Sequence, residues 1–509
     1  MQSVIAKQLT LFDTETSEFD STNWCVNQFS ADLLCAENAR QNLEKKYLPI
    51  TEVTSDFNRQ SVSYQLSKNN RLHRWLKYKE GFSADLVEQL MDEMNIGRGS
   101  TVLDPFLGSG TTALVAQMRG INSIGFDILP MSEIAIYAKT KVALYNISEL
   151  KNFVSFVSML NRPIEYKKRV NTINVTNGAY SEETECDIPY FTEMIKGSEF
   201  SQEAKGLGLL CLLNSLERVS YTAKDGQYLR WDERSTKVIE ATRSRLATGR
   251  KPFKVILNKG ELPTLKKAIL EQLNQAIEDI SYLQRSSPLP SNDTSVDFKQ
   301  SSSLIELPLL PENSIDGVIT SPPYCNRYDY TRIYALELAY LGMGENEIRK
   351  TRQNLLSCTV ESKTKLDYLQ SYYNTIGSTD SYNSVLSIIK NNAALNEILV
   401  ALEIRNQRGD INNKGVIPMV KGYFEELAFI YYELFRVCKK GAKVAFVNDN
   451  VRYAGEVISV DFLSTELAEQ IGFTPIKVYT LKQQKGNSSQ QMAKFGRVAL
   501  RKSITIWEK

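Results

Sequence analysis

A doubly wound α/β sheet interrupted by two largely helical insertions is the fold class that the sequence predicts. Three observations predict it. A short apolar run at 101–103 ends in Asp104 and passes into a glycine-rich turn, DPFLGSGTT, which opens a helical stretch. A second apolar run, at 121–126, ends in Asp127. The C-terminal part of the chain returns to the same alternation after a long interval without it. Strand, glycine turn, helix and acid-terminated strand make half of a doubly wound sheet.

Residues 1–70 are polar and weakly periodic and read as an N-terminal extension, with a short helix over 30–46. From Arg71 the texture changes. Phe82, Leu86, Val87, Leu90 and Met94 recur at helical spacing behind Ser83, whose hydroxyl suits an N-cap. The glycine turn leads into a helix over 112–120 closed by Gly120, a strand over 121–127 and a helix over 130–144 with Pro130 in its first turn. Residues 145–295 carry helical patterns and polar loops without strand–helix rhythm, and form the first insertion. Strands return at 296–299 and 315–319 within a second α/β segment, 296–344. Residues 345–415 are helical and polar, the second insertion. The segment 416–509 then reads as helix 423–437, strand 442–447, helix 461–472 and strands 475–481 and 498–507. With 71–144 these segments make one α/β domain.

The chain has 509 residues, 42% of them hydrophobic and 24% charged, enough for a sizeable core. A net charge of +2 is too small to declare a nucleic-acid partner, so any such signal must come from a local patch. The seven cysteines form no CxxC pair, which points to a reducing cytoplasm and away from a disulfide scaffold. A single histidine, His73, argues against a zinc enzyme or a Ser-His-Asp hydrolase and reads as structural. No metal site, signal peptide or membrane span is expected.

Gly108 and Gly110 let the backbone of the turn approach a ligand closely, and free N–H groups at a helix start can face a polar or anionic group. The turn lacks the lysine of a phosphate-binding loop, which argues against a nucleoside triphosphate. Asp127 stands where acids hold ribose hydroxyls in dinucleotide folds. Together these point to a nucleoside-type cofactor; taken alone, the turn is also compatible with a tight connection capped by an acid.

A second motif, TSPPY (320–324), follows a strand-like run. Two prolines cannot continue a ladder, so the strand must stop at Ser321. The Ser321 hydroxyl and the Pro322 carbonyl are acceptors on a stiff backbone, and Tyr324 adds a flat ring. Such a set suits a planar group bearing an exocyclic NH2: acceptors take its hydrogens and the ring stacks on its face. Alone, the motif reads more readily as a Pro-Pro turn with a packed tyrosine.

Both motifs together resemble the S-adenosylmethionine-dependent amino methyltransferases of DNA. DPFLGSGTT is similar to their cofactor motif and TSPPY to their catalytic motif, while HRWLKYKEGFSADLV resembles their segment with a phenylalanine in the methionine pocket. GAKVAFVNDNVRYAG and QQMAKFGRVAL resemble later strands of their catalytic domain. The resemblance covers 71–140, 296–345 and 420–505. It implies a Rossmann-like sheet of seven strands with the last antiparallel, base flipping, and S-adenosylmethionine as cofactor. It implies cofactor contacts from Phe82, Asp104, Pro105, Phe106, Gly108, Ser109, Gly110, Thr111, Thr112 and Asp127, and catalytic roles for Ser321, Pro322, Pro323 and Tyr324. No cysteine nucleophile is needed, and the chain has no Pro-Cys dipeptide. The serine form of the motif implies cytosine N4 as the target, with adenine N6 as the alternative. Two departures stand out. The glycine turn precedes SPPY, the reverse of the commonest SPPY order. The stretch KQSSS (299–303) lacks the usual acid at the end of the third strand, the nearest being Asp297.

Double-stranded DNA is the expected partner, with a separate cognate restriction endonuclease. Within 145–295 the stretch 224–254 is basic with interleaved aromatics, and it nominates Arg230, Trp231, Arg234, Arg243 and Arg245 as DNA contacts. Arg327 and Tyr328, just past SPPY, are further candidates. The second insertion is the competitor for target recognition. RNA amino methylation and an inactive S-adenosylmethionine-binding specificity subunit are the rival readings.

Overall fold

The structure is a computed structural model and describes residues 38–225, 228–255, 257–286, 294–481, 495 and 500–509. The expected helix start at 30–37 and strand start at 498–499 lie outside the described residues, as does most of QQMAKFGRVAL.

Eight strands form the central sheet: β1 (Thr51–Thr54), β2 (Thr101–Asp104), β3 (Asn122–Phe126), β4 (Val296–Lys299), β5 (Ile315–Thr320), β6 (Cys438–Asp449), β7 (Thr474–Leu481) and β8 (Lys502–Glu508). Their spatial order is β1-β7-β8-β6-β5-β2-β3-β4. All neighbours run parallel except β8, which is antiparallel to both β7 and β6. Strands β2 to β8 are the seven expected ones with the last reversed. β1 is added from the segment read as an extension. The TEVT run is too short and too polar for a visible period, and it forms only because β7 offers it a ladder. Its outer residues stay wet, and Glu52 pairs with Lys477 at 3.0 Å, a charged edge of the kind that resists edge-to-edge pairing.

The helices used below are α1 (Asn38–Tyr47), α2 (Ala84–Glu93), α3 (Thr111–Met118), α4 (Pro130–Thr140), α5 (Thr236–Ala247), α6 (Leu265–Arg285), α7 (Val416–Val437) and α8 (Val460–Ile471). Ser83 caps α2 as expected, accepting from Leu86 N at 3.3 Å. Side chains alternate across the sheet. Val102, Ile319, Ala445, Val447, Ile504 and Ile506 meet α2 and α3 on one face. Leu103, Val318, Val444, Phe446 and Trp507 meet α7 and α8 on the other. Three layers result, with both sheet faces covered, as a mostly parallel sheet requires.

The first insertion shares a core with the α/β domain. Asp279, inside α6, accepts from Arg74 Nε at 3.0 Å and from Trp75 Nε1 at 2.9 Å. The insertion also holds a strand pair, Thr222–Asp225 with Tyr228–Trp231, where helical patterns and polar loops were expected. Polar residues surround that pair, so its alternation was invisible in the sequence. The second insertion is helical throughout its regular elements (Glu345–Asn354, Leu366–Thr375, Thr379–Asn391, Ala393–Gln407) and packs on α7. Among the described residues no single helix is long and apolar enough to cross a membrane.

A buried ion network joins these parts. Arg40 of α1 bonds Glu397 at 2.7 Å and Glu456 at 2.8 Å, and Arg405 bonds Glu456 at 2.9 Å. Arg501 bonds Asp461 at 2.9 Å and Glu44 at 2.8 Å. Arg501→Met leaves two buried carboxylates without their cation and is expected to cost about 3–5 kcal/mol, read as a lower urea midpoint with the same m-value.

Candidate active site

β2 and β5 lie side by side, yet the chain leaves them in opposite directions, β2 toward β3 and β5 toward β6. Ligands in open α/β sheets sit at such a switch point, outside the carboxyl ends of the strands. Both sequence motifs converge there: the glycine turn leaves β2 and SPPY leaves β5.

Asp104 fastens the two edges together. Its Oδ2 accepts from the Thr112 hydroxyl at 2.7 Å, and its Oδ1 accepts from the Thr320 hydroxyl at 2.7 Å and from Phe106 N at 3.0 Å. The carboxylate is almost fully buried, and burial pushes its pKa up to about 6 against these hydrogen bonds. Behind the turn, the buried Lys139 ammonium of α4 donates to the Ser109 carbonyl at 3.0 Å.

A cavity opens between the motifs. Phe82, Asp104, Pro105, Phe106, Gly108, Ser109, Thr111 and Asp127 form one side, with Ser321 and Pro323 opposite. Gly110 and Thr112 stand behind this wall. Gly110 takes φ 90° at the helix start, where a Cβ would lie 2.8 Å from Ile136, so its role is close packing of α3 on α4. Gly108 takes φ 54°, and a Cβ there would fill the space before Tyr78, 2.9 Å from its ring. Asp127 accepts from Gly108 N at 3.1 Å and from Leu129 N at 2.7 Å, which keeps its carboxylate at the cavity wall. Burial raises its pKa to about 6.

The Ser321 hydroxyl donates to Tyr324 Oη at 3.1 Å. That leaves both lone pairs of Ser321 to accept hydrogens from a bound group. Pro322 is buried beside it. Tyr328 and Tyr334 both donate to the carboxylate of Glu80, another cavity residue. Tyr328 therefore holds the cavity wall, while Arg327 takes φ 66° and lies over the Tyr453 ring, 5.6 Å from its centre.

Sequence reasoning missed Glu80, Tyr78 and the serines 301–303, all of which line the cavity. The serines follow β4, where the chain lacks an acid. Asp297 is exposed on that strand, and the Ser303 hydroxyl donates to the Pro105 carbonyl. Glu80 had a legible signal, an acid among aromatics two positions before Phe82. The described cysteines are free and buried, and no cluster of metal-ligating side chains occurs among the described residues. His73 is buried, and burial drives its pKa down to about 3.

A family model described as "DNA methylase" matches residues 16–139. The Type II methyltransferase M.BsoBI of Geobacillus stearothermophilus is 53% identical over 498 residues, 98% of this chain and 97% of that protein. The chain is a Type II DNA amino methyltransferase. The M.AvaI enzymes of Nostoc and Anabaena variabilis are 37% identical over 489 residues, 94% of this chain and 95% of theirs. The methyltransferase acts on DNA and belongs with modification enzymes of restriction–modification systems. Its methyl donor is S-adenosylmethionine, and the cavity fits that cofactor. A bare glycine backbone faces aromatic walls at Tyr78, Phe82 and Phe106, and Asp127 presents a carboxylate to hydroxyl donors.

Gly108→Ala is expected to weaken S-adenosylmethionine binding at least tenfold in titration calorimetry, because the new Cβ enters the cradle. Asp127 carries a pH signature. Its pKa stands near 6 against an ordinary 3.8, so the folded chain holds this proton more tightly than the unfolded one. Its contribution to stability therefore falls as pH rises from about 4 to about 6. A ligand hydroxyl bound by Asp127 would need the ionised acceptor, so affinity is expected to fall as pH drops through about 6. Asp127→Asn should flatten that profile while weakening binding.

Proposed function

We propose that this enzyme methylates the exocyclic N4 of cytosine at a specific sequence in duplex DNA, taking the target base out of the helix into the cavity mouth. The observation that carries this reading is the Ser321 hydroxyl, polarised toward Tyr324 and facing the glycine turn across the cavity. The serine acceptor is what favours cytosine N4 over adenine N6.

When bound, S-adenosylmethionine supplies a methyl group on a sulfonium, the electrophile of the transfer. Phe82, Phe106, Gly108 and Asp127 hold it. Ser321 and the Pro322 carbonyl accept the two hydrogens of the target amino group and turn its nitrogen lone pair toward the methyl carbon. Tyr324 stacks on the base. Asp104 touches no reacting atom; it keeps the cofactor turn and the acceptor loop in register. Orientation of this kind is what turns a poorly nucleophilic amine into a reactive one.

The first insertion is the reading's target-recognition region. Only Val238 is buried among the residues of α5. Stretch 236–254 carries six basic residues (Lys237, Arg243, Arg245, Arg250, Lys251, Lys254) and one acid, Glu240. Leu246 is 56% exposed and Phe253 47%. A helix so bare and so basic suits the phosphates and edges of a duplex. The strand pair that precedes it packs against the helix Tyr330–Ile333, just past SPPY, which ties this surface to the cavity. Of the nominated contacts, Arg230, Arg243 and Arg245 are exposed. Arg234 is paired with Asp232 at 2.8 Å, and Trp231 lies under Lys237 at 4.6 Å. A cognate endonuclease on a separate chain completes the reading.

Mass spectrometry of nucleosides from plasmid treated with enzyme and cofactor tests it. N4-methyldeoxycytidine is the expected product; N6-methyldeoxyadenosine would move the target to adenine. Replacing Arg243 and Arg245 together by Ala is expected to raise KM for DNA about tenfold and to lower the salt dependence of binding, with cofactor affinity unchanged.

A further inference from the structure

Lys502 opens β8, directly across from Asp449 at the end of β6, and the register pairs the two residues. Its ammonium lies 3.5 Å from the Asp449 carboxylate and 5.1 Å from the centre of the Tyr324 ring. The side chain is only 12% exposed, whereas Asp449 is 35% exposed. A lysine so nearly buried, set against an aromatic of the acceptor loop, has no part in the transfer as described. A desolvated cation is attracted to a tyrosine ring, and dehydrating it is costly unless a carboxylate faces it. Asp449 supplies that carboxylate.

We propose that Lys502 is a positioning residue for methyl transfer, acting through Tyr324. The ammonium occupies one face of the Tyr324 ring and fixes its plane, which leaves the opposite face for the target base. By fixing the ring it also fixes Oη, the acceptor of the Ser321 hydrogen. The alternative acceptor for that hydrogen is the Val447 carbonyl, at 3.4 Å. With the ring held, the Ser321 lone pairs keep one direction, toward the amino group. Burial raises the Tyr324 pKa while the Lys502 charge holds it down, so the two side chains are electrostatically linked as well as packed. Strand pairing is what brings Lys502 here: β8 is the one reversed strand, and its first residue meets the end of β6 beside the loop that leaves β5.

The inference rests on the proposed roles of Ser321 and Tyr324, and single-turnover kinetics on duplex DNA tests it. Lys502→Met, which keeps the aliphatic bulk, is expected to lower the transfer rate at least tenfold. Cofactor affinity, KM for DNA and melting temperature should stay close to wild type. Lys502→Arg is expected to recover most of the rate, since a guanidinium also stacks on an aromatic face. In a Tyr324→Ala background, Lys502→Met should cost less than about twofold further, the non-additivity of residues acting in series. A rate for Lys502→Met within about twofold of wild type overturns the inference. So does an equal loss in both backgrounds, or a loss that tracks melting temperature and is not recovered by Lys502→Arg. If wild-type enzyme transfers no methyl group to DNA, the reading of the Ser321 site fails, and that result is distinct from all of these.

Discussion

Everything at the cavity depends on one buried carboxylate. Asp104 ends β2, receives a hydroxyl from the helix start after the glycine turn, and receives another from the last residue of β5. The cofactor turn and the acceptor loop come from strands more than 200 residues apart in sequence, as the 216-residue separation of Asp104 and Thr320 shows. A carboxylate can make this tie because it offers several lone pairs in one plane. An amide in its place would have to present a donor to a group that is already donating. The cost is desolvation, visible as a pKa raised to about 6, and three hydrogen bonds offset it.

Around that tie the chain arranges further supports. Lys139 holds the back of the turn, Glu80 gathers two tyrosine hydroxyls at the cavity wall, and Asp279 anchors the first insertion to residues just upstream of Phe82. The insertions are therefore not loose appendages. One shares the core beside the cavity, and the other is joined through Arg40, Arg405 and Glu456 to α1 and the far side of the sheet. A methyl transfer that relies on orientation gains from such rigidity, since small misplacements of a positioned nucleophile carry large penalties in rate.

Much of the fold and of the site was legible beforehand because the information is local. Glycines at 108 and 110, the acids that end two strands, and the serine and prolines of SPPY each act through their own backbone geometry. Ser83 caps its helix for the same reason. The glycine turn that lines the cavity could be named from one contiguous stretch. Other features were not legible, for physical reasons that differ. β1 has no period of its own and exists by pairing with β7. The strand pair Thr222–Asp225 with Tyr228–Trp231 buries Thr222 and Lys224 and exposes Tyr228, so no apolar alternation marks it. Glu80 and the serines at 301–303 belong to the cavity only because separate segments converge on it. The pairing of Arg234 with Asp232 and the stacking of Lys237 on Trp231 were likewise not legible, since each depends on how the chain folds back on itself.

By itself the sequence determined the alternation of strands and helices, the two motifs, and through them the chemical class, because each rests on residues within a few positions of one another. Only the tertiary structure decided what those motifs face. Strand order set β2 beside β5, so two remote loops share one cavity. The reversal of β8 carried Lys502 to Tyr324. The docking of the first insertion left α5 bare. Pairing and packing over long sequence separations settle such relations, and no local pattern of residues records them.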